Sequence, residues 1–269
     1  MAGDRPESVN FDRIAHRYDA TRGGMERGRD YASELEPLFT RAGAVLEPGI
    51  GTGLVAAALG ERGRTVFGLD ISSEMLSSAR TRLGARVARA DAARMPLTDD
   101  CVGDAYSAHF LHLVSDVRAV LAEVRRAVRA GGRYLHVNTR YVADDDDAAW
   151  HINAEMRRLL RDDQSPYASD LERLADDVVG ARRLFDHAGA AGIEFEGVVE
   201  GLPHGIESES PRQLADRIET RTSSALWDVP DDRWNDVVVP ALAALRALPD
   251  GDRPRSRQVV VITIVFRVQ

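Results

Sequence analysis

Lysine is absent from this chain of 269 residues, and all 35 basic side chains are arginines. Without a lysine amine, no mechanism that passes through a side-chain Schiff base is open to the protein. Cysteine is nearly absent too, since Cys101 has no partner for an intramolecular disulfide. No Cys/His cluster has the spacing of a zinc site, and we expect no bound metal.

Long hydrophobic runs are also missing. The longest, residues 259–266, is too short to cross a bilayer, and the first residues lack the apolar core of a signal peptide. A net charge of −8 and a pI near 5.4 disfavour a nucleic-acid surface, which is normally basic. We therefore expect a cytoplasmic protein for which a nucleic-acid partner is disfavoured. We also expect a monomer or homodimer.

The first 140 residues alternate short apolar runs with helical patterns, which predicts βαβ units and a parallel sheet. Helix 116–129 is clearly amphipathic. After residue 140 the rhythm changes, and two helical insertions are predicted at about 141–175 and 207–248. We expect one α/β domain over residues 1–269. Its seven predicted strands are 44–49, 65–70, 86–91, 103–109, 132–139, 193–200 and 258–268.

The segment VLEPGIGTG, residues 45–53, carries the chemical signal. An apolar strand runs into Glu47, Gly49, Gly51 and Gly53, and such glycines let the backbone turn tightly beside a ligand. The dinucleotide fingerprint G-x-G-x-x-G would place its third glycine at Leu54, so an NAD-dependent oxidoreductase is disfavoured. Glu47 suits the cationic amino group of a methionine moiety, or else neutralises a helix N-terminus.

This E-x-G-x-G-x-G pattern resembles motif I of the class I S-adenosylmethionine-dependent methyltransferases. Asp70, at the end of the second strand, matches the acidic residue that holds the ribose hydroxyls in this family, with a helix N-cap as the alternative. Asp91, in ARADAARMPL, matches the adenine-contacting acid, or is simply a turn residue. The segment FDRIAHRYD, residues 11–19, is similar to the ubiquinone-biosynthesis branch, in which a tyrosine lies near the cofactor.

The resemblance implies a Rossmann-like, seven-stranded class I methyltransferase sheet whose last strand is antiparallel. It implies methyl transfer from S-adenosylmethionine to an oxygen, nitrogen or carbon atom of a small-molecule acceptor, with S-adenosylhomocysteine as product. The alternative is a protein of this fold with another chemistry or only a binding role. The implied cofactor-binding residues are Tyr18, Glu47, Gly49, Gly51, Gly53, Asp70, Ile71, Met75, Asp91, Ala92 and Ser107.

The acceptor side is less constrained. His109, at the carboxyl end of the fourth strand, is the candidate general base, whereas His112 is predicted to serve packing or capping. The two insertions are predicted to form a substrate lid, with Arg221 either binding an anionic acceptor or pairing with Glu219 or Asp216. The candidate acceptor-binding side chains are Tyr141, Trp150, Arg221 and Trp227, although tryptophans at helical spacing also suit a core.

Overall fold

The strands form one seven-stranded sheet within the part of the chain that the structure, a computed structural model, describes: residues 19, 23–40, 43–142, 147–160, 182–221, 226 and 229–269. The strand order is β3-β2-β1-β4-β5-β7-β6. The strands are β1 Val45–Pro48, β2 Val66–Asp70, β3 Val87–Arg89, β4 Asp104–Ala108, β5 Arg133–Val142, β6 Ile193–Glu209 and β7 Arg255–Val268.

The first five strands run parallel, and the last runs the other way. β1 pairs in parallel with β2 and β4, and β5 pairs in parallel with β4. The amide of Gly131 donates to the carbonyl of Val268 at 2.8 Å, and the amide of Val268 donates to the carbonyl of Gly132 at 2.9 Å. The end of β7 therefore lies beside the start of β5, and the predicted antiparallel last strand is confirmed.

The helices between these strands follow the expected signals. The hydroxyl of Ser72 accepts a hydrogen bond from the amide of Met75 at 3.1 Å and begins one helix. Asp116 caps another through the amide of Ala119 at 2.9 Å. The helices are α1 Gly24–Leu35, α2 Leu54–Glu61, α3 Ser73–Leu83, α4 Val117–Ala127, α5 Ala148–Leu160, α6 Arg182–Ala190, α7 Pro211–Glu219, α8 Asp231–Arg233 and α9 Val239–Arg246, with a π-helix at Trp234–Val238.

The chain divides into two compact units. The sheet unit comprises residues 1–138, 170–201 and 261–269, and the helical unit comprises residues 139–169 and 202–260. The described side chains of the helical unit form a core of their own, with Ala149, Leu214 and Val238 among its buried members. Its two segments overlap the predicted insertions, whose assignment as a lid stays a prediction. No described helix is both long and apolar enough to cross a membrane.

Candidate functional site

The glycine-rich turn joins β1 to α2 through positive φ angles. Gly49, Gly51 and Gly53 have φ values of 71°, 55° and 78°. A Cβ at Gly49 would lie 2.1 Å from Cδ2 of Phe110, so packing excludes any side chain there. Among the described residues, a Cβ at Gly51 would meet no heavy atom within 4 Å. The turn is thus closed beside Gly49 and open beside Gly51, which is the cradle that a ligand lying against the backbone needs.

Asp70 ties the end of β2 to this turn. Its Oδ2 accepts a hydrogen bond from the amide of Gly51 at 2.8 Å, and its Oδ1 accepts from the amide of Ser72 at 2.9 Å. Ser72, not Asp70, is the N-cap of α3. Each carboxylate oxygen has more than one lone pair, so a carboxylate fixed in this way can still accept hydroxyl hydrogens.

Glu47 is buried in β1 with one strong neighbour. The hydroxyl of Tyr106 donates to its Oε2 at 2.5 Å. Burial raises the pKa of Glu47 well above its usual range; the bond from Tyr106 opposes this shift and the negative charge of Asp70 adds to it. A cationic group bound beside Glu47 would favour its ionised form, so the side chain fits the ammonium of a methionine moiety.

The loop after β3 carries the predicted adenine contacts. Oδ1 of Asp91 accepts the amide of Ala93 at 2.9 Å, a local turn that leaves both interpretations of this exposed residue open. Ala92 and Met75 are buried, whereas Ile71 is an exposed apolar side chain after β2. The loop is held to α4 because Glu123 accepts the amide of Met95 at 2.6 Å.

The predicted tyrosine of the N-terminal motif, Tyr18, lies outside the described residues. Its neighbour Asp19 is described and is fixed to the glycine-rich turn. The hydroxyl of Thr52 donates to Oδ1 of Asp19 at 2.6 Å, and Arg82 donates to Oδ2 at 2.5 Å. Arg82 also donates to the carbonyl of Thr52 at 2.7 Å. The cofactor contact of Tyr18 itself stays a prediction.

His109 follows β4 in a strained backbone conformation, with φ at 50°. Its amide donates to the carbonyl of Val137 at 3.0 Å. Its Nε2 lies 2.6 Å from the hydroxyl of Tyr31, a buried residue of α1. Tyr31 was not predicted, because only the packing of α1 against the sheet brings it to His109. His112 lies in the 3₁₀ turn Leu111–Leu113.

Ser107 is buried in β4, away from solvent. Its Oγ lies 2.6 Å from the hydroxyl of Tyr134 and 3.4 Å from Nδ1 of His136. The Nε2 of His136 lies 3.2 Å from Nδ2 of Asn138. The hydroxyl of Ser107 is therefore already engaged within the protein, and its predicted cofactor contact stays a prediction. His136 and Asn138 are further polar residues that the sequence did not single out.

Of the four predicted acceptor-binding residues, the structure describes the side chains of Trp150 and Arg221, and acceptor binding by all four stays a prediction. Tyr141 is in β5, but its side chain lies outside the description, as does all of Trp227. The guanidinium of Arg257 lies 5.2 Å from the ring centre of Trp150. That of Arg221 lies 4.0 Å from the ring centre of Trp234.

The charged neighbours predicted for Arg221 have another partner. Glu219 and Asp216 both bond to Arg246, at 2.6 and 3.3 Å. Arg221 instead donates toward the carbonyls of Leu226 and Val229, both at 3.4 Å. The structure thus shows an aromatic and carbonyl environment around this guanidinium, and anion binding by Arg221 stays a prediction. Among the described residues, no group of three or more His, Cys, Asp or Glu side chains could hold a metal ion.

Comparisons with known proteins agree with this geometry. A family model described as "Methyltransferase domain" matches residues 46–136. A demethylmenaquinone methyltransferase of Beutenbergia cavernae is 30% identical over 212 residues, covering 71% of this chain and 85% of the relative. An uncharacterized methyltransferase of Geobacillus thermodenitrificans is 30% identical over 173 residues, covering 61% and 78%.

A solved structure supports the fold independently. The YcgJ protein from Bacillus subtilis superimposes with a TM-score of 0.52 over 89% of this chain and 98% of its own. The two sequences are 19% identical. At that identity the likeness shows the fold alone.

Proposed function

Because the chain belongs to the class I S-adenosylmethionine-dependent methyltransferases, we propose that it methylates a small-molecule acceptor by direct in-line displacement. S-adenosylmethionine supplies a methyl group on a sulfonium, which needs no protein nucleophile. The work of the protein is to align the acceptor with the methyl–sulfur bond and to exclude water.

One observation carries this proposal, namely the carboxylate of Asp70 fixed beside the open turn at Gly51. Two backbone amides hold the carboxylate in place before any ligand arrives. We assign the ribose hydroxyls to Asp70, the amino-acid ammonium to Glu47, and the adenine to Asp91 and the amide of Ala92. The buried hydroxyl of Tyr106 holds Glu47 in position.

On the acceptor side, His109 is the proposed general base. It lies directly after β4, and the hydroxyl of Tyr31 restrains its ring at 2.6 Å. A neutral imidazole there can take a proton from the attacking group while the methyl moves. An acceptor that is already anionic would not need this residue.

The test uses His109→Gln, which keeps hydrogen bonding but cannot act as a base near neutral pH. The Beutenbergia relative is named for demethylmenaquinone, so a reduced demethylmenaquinone analogue is the first acceptor to try. Release of S-adenosylhomocysteine should depend on the acceptor. It should fall about a hundredfold in the variant, while the calorimetric Kd for S-adenosylmethionine stays within twofold. Unchanged turnover would exclude His109 as the base, and lost affinity would indicate a cofactor role.

The assignment of acceptor binding to the helical unit also stays part of the proposal. Hydrogen exchange of its described helices α5 and α7 should slow when S-adenosylhomocysteine and an acceptor analogue are both present. If only the glycine-rich turn becomes protected, the two insertions do not form a lid.

A further inference from the structure

A chain of hydrogen bonds leads from the buried interior of the sheet unit to Asn138 in the middle of β5, beside the point where β4 ends. It runs from the hydroxyl of Tyr134 to Ser107 at 2.6 Å, from Ser107 to Nδ1 of His136 at 3.4 Å, and from Nε2 of His136 to Asn138 at 3.2 Å. The first three residues are fully buried, and Asn138 is half-buried. This chain of hydrogen bonds therefore links the buried interior to the half-buried side chain of Asn138.

The chain has a direction, because Nδ2 of Asn138 can only donate. Nε2 of His136 must then accept, and the single hydrogen of a neutral imidazole lies on Nδ1, facing Ser107. Burial lowers the pKa of His136 to about 3, helped by the charge of His112, so the ring is neutral at physiological pH. The inward-facing nitrogen of the carboxamide and a ring hydrogen on Nδ1 are consistent with each other, whereas a carboxamide turned over would require the hydrogen on Nε2.

The carbonyl oxygen of Asn138 is left available by this arrangement. No described residue donates a hydrogen bond to it. Ala108 of β4 pairs with Val137 of β5, and the amide of His109 bonds to the carbonyl of Val137 at 3.0 Å. Asn138 follows Val137 within β5, and His109 follows Ala108 directly after β4. A hydrogen-bond acceptor and the proposed base therefore lie side by side at the point where β4 ends.

We propose that Asn138 binds the methyl acceptor, its Oδ1 accepting an O–H or N–H hydrogen that is not removed in the reaction. The proposal rests on the proposed function and narrows the acceptor class. His109 takes one hydrogen from the acceptor. A second hydrogen remains on the acceptor and is donated to Oδ1 of Asn138. The acceptor therefore carries at least two polar hydrogens, as in an aromatic diol or a primary amine. A carboxylate has no hydrogen to donate, so its oxygen lone pairs would face those of Oδ1 of Asn138. Carboxylates are therefore excluded as acceptors.

The acceptor test compares three probes of similar size, kept under argon: 1,4-naphthalenediol, 4-methoxy-1-naphthol and 1-naphthoate. The diol should give the highest kcat/KM and the carboxylate no turnover. Asn138→Leu keeps the volume and removes both polar atoms, so it should lower kcat/KM for the diol about tenfold and leave the Kd for S-adenosylmethionine unchanged. Asn235→Leu, at an exposed asparagine of the π-helix, is the matched control and should change neither value. An unchanged preference for the diol in Asn138→Leu would overturn the proposal.

A second measurement needs no acceptor. Long-range ¹⁵N spectra of the imidazoles should show His136 protonated on Nδ1 in the wild type. In Asn138→Asp the new carboxylate can only accept, so the hydrogen should move to Nε2. A wild-type ring protonated on Nε2 would overturn the orientation of Asn138. Turnover of none of the three probes, with S-adenosylmethionine bound, would contradict the proposed acceptor class, and the spectra would still decide the orientation.

Discussion

The two units bury polar groups in different ways. In the sheet unit, Ser107, Tyr134 and His136 form neutral buried hydrogen bonds that follow the strands, beside the buried carboxyl groups of Glu47 and Asp104. In the helical unit the main buried polar contact is an ion pair, with Nε and Nη2 of Arg257 at 3.1 and 3.0 Å from Asp147. The neutral chain ends at the edge that carries His109. The ion pair joins the start of α5 to the start of β7 and so stabilises the helical unit itself.

The largest effect is expected from breaking the buried ion pair of the helical unit. Arg257→Met leaves Asp147 buried, with Arg255 at 3.4 Å as its remaining cationic neighbour among the described residues. Breaking such a pair on one side costs about 3 kcal/mol of unfolding free energy. The double variant Arg257→Met, Asp147→Leu removes both charges and should recover most of this loss. Urea denaturation measures both, and a double variant as unstable as the single one would contradict the account.

A smaller effect is expected in the sheet unit, where the free energy of unfolding should depend on pH. Burial holds the pKa of His136 at about 3, whereas the unfolded chain titrates near 6.5. Between these pH values the unfolded state binds a proton on His136 and the native state does not. The contribution to the free energy of unfolding that is present above pH 6.5 is therefore lost as the pH falls toward 3. Between pH 7 and pH 5 this loss is about 2 kcal/mol. His136→Gln should remove this part of the slope in urea denaturation, and an unchanged slope would refute the buried neutral histidine.

The smallest effect on stability is expected from two glycine-to-alanine variants, which together distinguish backbone strain from loss of cofactor binding. Gly51 and Gly63 have φ values of 55° and 87°, and a Cβ at either position meets no described heavy atom within 4 Å. Changing either one to alanine should cost about 1 kcal/mol of stability through backbone strain. Only Gly51→Ala should also weaken S-adenosylmethionine, by at least tenfold, because its Cβ enters the open cradle. Equal Kd values of the two variants for S-adenosylmethionine would contradict binding of the cofactor at the glycine-rich turn.

The same contrast explains what the sequence could predict. The glycine-rich turn and Asp70 were found because a strand that turns onto a ligand needs particular residues at particular positions. The hydrogen bonds from His136 to Asn138 depend on strand register, and the contact of Tyr31 with His109 depends on helix packing. Neither can be deduced from the spacing of residues in the sequence. Asp147 and Arg257 are 110 residues apart and belong to no motif.

Several strand boundaries differ from the prediction, and the largest difference has a physical reason. β6 was predicted to end at residue 200, but it continues to Glu209. Gly201 and Pro203 interrupt the strand pattern in the sequence. β6 is the edge strand of the sheet, and an edge strand tolerates a proline because one side of its backbone needs no ladder partner.

The central claim is that Asp70 holds the cofactor, and calorimetric titration with S-adenosylmethionine tests it most directly. Asp116 is the matched control, since its carboxylate also accepts a backbone amide at the start of a helix. The wild type should bind one equivalent, and Asp70→Ala should bind about 2 kcal/mol more weakly, as expected for the loss of a charged hydrogen-bond acceptor. Asp116→Ala should lose stability but keep the wild-type Kd. Equal affinity of Asp70→Ala and the wild type would contradict the claim.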